Sequence, residues 1–176
     1  MGYIAKLLVL ALTAVATPIL RRDAVTVIND INENIGPQIQ TLHSDVNSFP
    51  ESGLSGAVAI NSDVQTLVAV LDGTTSDIND AGSFSEADGT DILADVELLA
   101  PTLLDTLLAI RDQAEAWADI PGAQAVVLKD LQSLNTAFDG FANALIAAMP
   151  ADIVPSAEAM KTEIDGGFTT AINAYS

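Results

Sequence analysis

At 176 residues the chain has the length of one domain, and with 49% apolar residues it can bury a core, which excludes a disordered polyanion. Six basic residues against 24 acids leave a net charge of −18, which excludes nucleic-acid binding through phosphate contacts and disfavours anionic membranes. The absence of cysteine excludes disulfides and thiolate metal sites, so packing alone must hold the fold.

The first element along the chain is a secretory signal over residues 1–16. Lys6 gives it a positive n-region, residues 7–16 (LLVLALTAVA) form an apolar h-region, and Ala14, Val15 and Ala16 have the small-x-small form that signal peptidase accepts. The run is too short to span a bilayer as a helix, and Thr17 and Pro18 break it. A pro-segment over 17–22 ends in Arg21 and Arg22, a dibasic step suited to a Kex2-type protease. Cleavage there removes Lys6, Arg21 and Arg22. Three cations, Arg111, Lys129 and Lys161, then face all 24 acids, a net charge of −21. Such charge favours a soluble monomer. A secreted, extracellular protein with a mature domain over 23–176 is expected, and residues 171–176 lack the hydrophobic tail of a GPI signal.

From Asp23 onward apolar residues recur at steps of three and four, the signature of amphipathic helices. The first run is Ile28, Ile31, Ile35, Ile39, Leu42, Val46 and Phe49. The second is Ala57, Ile60, Val64, Leu67 and Leu71, with Ile78 further on. The third is Ile92, Val96, Leu99, Leu103, Leu107, Ile110, Ala114 and Trp117. The fourth is Val127, Leu131, Leu134, Phe138, Phe141 and Leu145. The fifth is Ile153, Ala157, Met160, Ile164, Phe168 and Tyr175. Pro50, Pro121 with Gly122, and Pro150 separate these runs. Ser85 with Asp88 three residues on predicts an N-cap for the third, and Asp152 is the expected cap of the fifth. The predicted fold is all-α, a five-helix antiparallel bundle. Pro37 and Pro101 fall inside helices and should kink them.

Little chemistry is written here. His43 sits at a polar position of the first helix and is expected on the solvated surface. The carboxylates Asp72, Asp77, Asp80, Glu86, Asp88, Asp91, Asp95 and Glu97 are scattered over polar faces, and no G-x-S-x-G elbow or phosphate-binding loop is present. Residues 72–77 faintly resemble a calcium loop but lack its alternating acids and terminal Glu. No catalytic residue, metal site or cofactor is therefore assigned. The core is built from Ala, Val, Leu and Ile with few aromatics, so either the helices approach closely or an apolar cavity stays open between them. Such a cavity would take acyl chains, each buried methylene contributing about 0.8 kcal/mol.

The order and spacing of several segments resemble those of the fungal hydrophobic surface-binding protein A family, also described as cell-wall galactomannoproteins. They are residues 18–23 (PILRRD), 27–31 (VINDI), 83–88 (SFSEAD), 127–131 (VLKDL), 145–150 (LIAAMP) and 164–172 (IDGGFTTAI). The resemblance implies a secreted or wall-associated five-helix protein that either encloses fatty acids in a central cavity or adsorbs to hydrophobic surfaces and recruits polyester-degrading esterases. The partners it implies are a long-chain fatty acid or other lipid, hydrophobic surfaces, and a secreted esterase. It brings no ligand motif, so the candidate site rests on periodicity. Acyl carbons would lie against Ile35, Ile39, Leu42, Leu67, Leu103, Leu107, Phe138, Phe141, Ile164 and Phe168, while Gln38, Thr41 or Ser44 would hydrogen-bond a carboxyl head.

Overall fold

The computed structural model describes residues 23–176, so the predicted signal and dibasic step lie outside the described residues. Among these residues the chain is helical without strands. Helix α1 covers 24–48, α2 Gly53–Ala81, α3 Glu86–Asp112, α4 Ala114–Ala118, α5 Ala123–Ala148 and α6 Val154–Asn173. Five long rods match the five apolar runs. The sixth, short helix arises where the third run breaks at Gln113, whose side-chain amide donates to the carbonyls of Val46 at 2.8 Å and Phe49 at 2.9 Å. Those contacts satisfy carbonyls at the end of α1 and turn Trp117 onto a separate element, where its ring stacks on Phe49 at 4.0 Å.

Local chemistry sets most of the boundaries. The Asp23 side chain accepts from the Thr26 amide and opens α1. Ser85 Oγ accepts from the Asp88 amide and donates to the Asp88 carboxylate, opening α3 as expected. The expected Asp152 cap is not made: α6 begins after Ile153 with no side-chain cap, and Pro155 sits in its first turn, where a missing N–H costs nothing.

The two helix prolines behave differently. Pro101 lies on the solvent side of α3, and the helix continues through it. Ahead of Pro37, α1 widens into a π turn over Asp30–Ile35, with the Gly36 amide reaching back to the Ile31 carbonyl. That turn corrects the first apolar run. Val27 is fully buried in place of Ile28, because Val27, Ile31, Ile35 and Ile39 recur at steps of four, which an ordinary α-helix would rotate off one face.

The five rods close into a ring in the order α1, α2, α5, α6, α3. Helices consecutive in the chain reverse direction, yet α1 and α3 run the same way. Asn32 bonds Asp95, Gln40 bonds Thr102 and His43 bonds Thr106, positions that rise together along both helices. The pair α3 and α6 is also parallel: Gly89 faces Ile153, and Gly167 faces Leu104 and Leu107. A ring leaves its interior to side chains alone, and Phe168, fully buried, fills it 5.6 Å from the Phe138 ring.

Candidate functional site

An apolar pocket opens between α3, α5 and α6. Leu93 and Val96 come from α3, Phe138, Phe141, Ala142, Leu145 and Ile146 from α5, Met149 from its end, and Ala157, Met160 and Ile164 from α6. Both methionines of the described residues are in this wall; their unbranched thioethers can repack around a guest. A smaller void beside it touches Ile31, Ile35, Ile39, Leu99 and Leu103 and shares Val96, Phe138, Phe141 and Ile164 with the pocket. The two form one apolar tract with the aromatic pair as its partition. Their volumes are about 40 Å³ and 10 Å³, against roughly 300–1,000 Å³ for ordinary ligand sites. A long guest therefore enters only if the ring expands.

The pocket has one polar end. Lys161 lines it with its aliphatic stem, while its ammonium bonds the carboxylates of Asp139 on α5 and Asp165 on α6, the latter at 2.7 Å. Asp139, then Asp165, hold the Lys161 ammonium above its ordinary pKa. A single cation between two acids at an apolar mouth can bond a polar head group by exchanging one partner, because the carboxylate it releases, 42% exposed at Asp139 or 40% at Asp165, can be solvated by water.

The structure places the twelve predicted site residues in three groups. Ile35, Ile39, Leu103, Phe138, Phe141 and Ile164 wall the tract. Leu42, Leu67, Leu107 and Phe168 are buried in the surrounding core without touching it. Gln38 and Thr41, like Ser44, lie away from it. Gln38 donates to the Asp63 carbonyl and carboxylate, Thr41 donates to the Pro37 carbonyl, and both Thr41 and Ser44 are exposed. Periodicity missed Lys161, Met149 and Ala142; the first could have been found only as a lone cation on an apolar helix face. His43 is not a solvated surface residue: it is half-buried and joined to Thr106 at 3.0 Å and to Asn47. Residues 72–77 are part of α2 rather than a loop, with Asp77 buried.

Two other acids report on the whole molecule. Burial first, then Asp45 nearby, pushes the Asp63 carboxyl above its usual value of 3.8. Burial does the same at Asp130, against the lowering effect of the Asn61 amide and Lys129. An acid whose pKa is raised by folding binds protons more tightly in the folded chain. From just above 3.8 through the raised values, stability falls as pH rises, and self-repulsion of the excess negative charge acts in the same direction. Calorimetric melting should therefore occur higher at about pH 4 than at about pH 7.5. A flat or reversed profile refutes this.

The model of the hydrophobic surface binding protein A family matches residues 24–147. No curated protein sequence matches the chain. The crystal structure of AfMP4p in complex with palmitic acid superposes with a TM-score of 0.81 and 28% identity, covering 88% of this chain and 100% of that one. Ligand binding domain 1 of Penicillium marneffei MP1 protein, complexed with arachidonic acids, gives 0.80 at 15% identity, covering 87% of this chain and 99% of that one. Its ligand binding domain 2, complexed with multiple arachidonic acids, gives 0.78 at 13%, covering 86% and 96%. At those identities the two MP1 domains speak to the fold alone.

Proposed function

This chain belongs to the hydrophobic surface binding protein A family, and from that membership we propose that it is a secreted, non-catalytic carrier that holds a long-chain fatty acid in the apolar tract between its helices, head group at Lys161. The observation that carries the reading is the pocket itself: apolar along its length, walled by two adaptable methionines, and ended by one cation. The palmitic acid held by AfMP4p at 28% identity supports it. Burying an acyl chain contributes on the order of 10 kcal/mol gross at about 0.8 kcal/mol per methylene. Opening the ring and ordering the guest offset part of that.

Secretion with cleavage after Arg22 belongs to the same proposal. Asp23 already caps α1, so a chain beginning there keeps its first helix whole. Mass spectrometry of the secreted protein should return a mature chain starting at Asp23 and, after denaturation, a co-purified fatty acid. Calorimetry across a fatty-acid series should show saturable binding that strengthens per methylene and then weakens once the chain outgrows the tract. Absence of saturable heat from any member refutes the carrier reading.

A second reading has its own observation. Leu54, Val58 and Val126 are 66%, 63% and 46% exposed around one groove of α2 and α5, a face suited to adsorption on a hydrophobic surface and, through it, recruitment of a secreted esterase. Coating of alkane droplets with no chain-length optimum in calorimetry would favour it.

A further inference from the structure

The groove at that exposed face shares no residue with the acyl tract. It runs between α2, α4 and α5, opens to solvent and measures about 400 Å³, room for an alkyl chain without prior expansion. Leu54, Val58 and Val126 form its apolar rim, and Trp117 forms part of its wall.

Trp117 is 2% exposed, and its indole Nε1 has no acceptor among the described residues. Buried indole donors ordinarily find a partner, and one left unpaired costs folding free energy that an incoming acceptor restores. The groove's own polar groups do not serve. Asn61 donates its amide to Asp130 Oδ2 at 2.7 Å, which ties both to each other. Among the described residues no cation lines this groove; Lys129 lines the adjoining one. A free carboxylate here would meet the Asp130 carboxylate, whose nearby cation Lys129 lines the adjoining groove, whereas at the inner pocket it meets the Lys161 ammonium directly.

We propose that this groove is a second binding site, for a fatty-acyl ester, whose alkyl chain lies along Leu54, Val58 and Val126 while its neutral carbonyl oxygen accepts from Trp117 Nε1. The indole nitrogen is covered by neighbouring side chains, so the carbonyl reaches it by displacing them and replaces no existing protein hydrogen bond. The two sites thereby divide lipids by head group, acids inside and esters outside. This goes beyond the carrier reading and does not depend on it.

Trp117 is the one tryptophan of the chain, so its emission reports this groove without a label. The mature protein is titrated with methyl decanoate, with decane, and with decanoate at about pH 8. Methyl decanoate should shift Trp117 emission saturably, decane should bind about five- to tenfold more weakly for want of the hydrogen bond, and decanoate more weakly still. Val58→Asp, at an exposed position that folding tolerates, should abolish the response and leave calorimetric palmitate binding unchanged. Trp117→Phe should retain palmitate binding and lose the preference for methyl decanoate over decane, read by calorimetry. No saturable emission change, equal binding of ester and decane, equal binding of decanoate, or a response surviving in Val58→Asp overturns the site. Palmitate failing to bind while the ester response persists overturns the inner-pocket reading instead.

Discussion

Replacing Ala142 by Phe should weaken palmitate binding by at least about a hundredfold while the protein stays folded. Ala142 lines the acyl pocket but is only half-buried, so a benzyl group there has a way out toward solvent as well as into the pocket. The pocket measures about 40 Å³ and depends on its walls moving apart to admit a chain. A rigid ring set beside Phe138 and Phe141 occupies the volume the guest needs and couples three aromatics across the mouth. A hundredfold loss corresponds to about 2.7 kcal/mol, a fraction of the gross gain from burying an acyl chain. Overpacking costs about 1–3 kcal/mol at a fully buried site, and less where one side is open. Calorimetry reads the binding and thermal melting reads the fold. Unchanged palmitate affinity in a variant that melts like the parent would place the acyl chain somewhere other than this pocket.

The smallness of the tract constrains how it loads. The backbone of each rod lies beside only two others round the ring, so expansion needs neighbouring rods to slide apart and not the whole core to melt. The α3–α6 contact is the side where this is least costly, because Ala157, Met160 and Leu93 meet there in place of interlocked aromatics. Exchange of Asp139 for the head group would loosen the ion-paired link between α5 and α6 at the moment the guest arrives. Binding and opening are then one equilibrium, and affinity is set by the difference between them.

How far the sequence alone led follows from what periodicity encodes. A step of three or four says which face of a helix is wet, and the fourth run, Val127 to Leu145, is buried at each position it named. It does not say which helix that face meets. The ring order, the parallel α1–α3 and α3–α6 pairs, and therefore the separation of Leu42, Leu67, Leu107 and Phe168 from the tract are properties of pairing, absent from any single run. The π turn was hidden for a related reason: from Ile28 to Ile39 the steps of three, four and four are an ordinary α pattern, and only the buried Val27, with Pro37 having no N–H to give after the widened turn, marks it. Lys161 looked like one surface cation among few, since its two acids lie 22 residues back and four ahead. The unpaired donor of Trp117 has no sequence signal at all; an aromatic at a core position reads the same whether or not its nitrogen is satisfied.

Phe168→Ala should be the most destabilising single change in the core, and palmitate should partly reverse it. Phe168 is fully buried inside the ring, 5.6 Å from Phe138. Its neighbours belong to rods held by their own backbone hydrogen bonds, which collapse poorly into a vacated site. Large-to-small changes of this kind cost about 3–5 kcal/mol, transfer and cavity together, which for a domain of this length lowers melting by roughly 6–20 °C. The space released adjoins Phe138, which walls the acyl tract, so turning that one ring into the vacated site joins the cavity to the pocket. An acyl chain can then occupy it with less parting of α3 from α6. Palmitate at about a hundred times its dissociation constant stabilises the parent by about 2.7 kcal/mol. The variant should gain more than the parent does, because the guest also refills the cavity. Melting curves of both proteins with and without palmitate decide it. A gain no larger in the variant than in the parent would mean that Phe168 packs a part of the core the acyl chain never reaches.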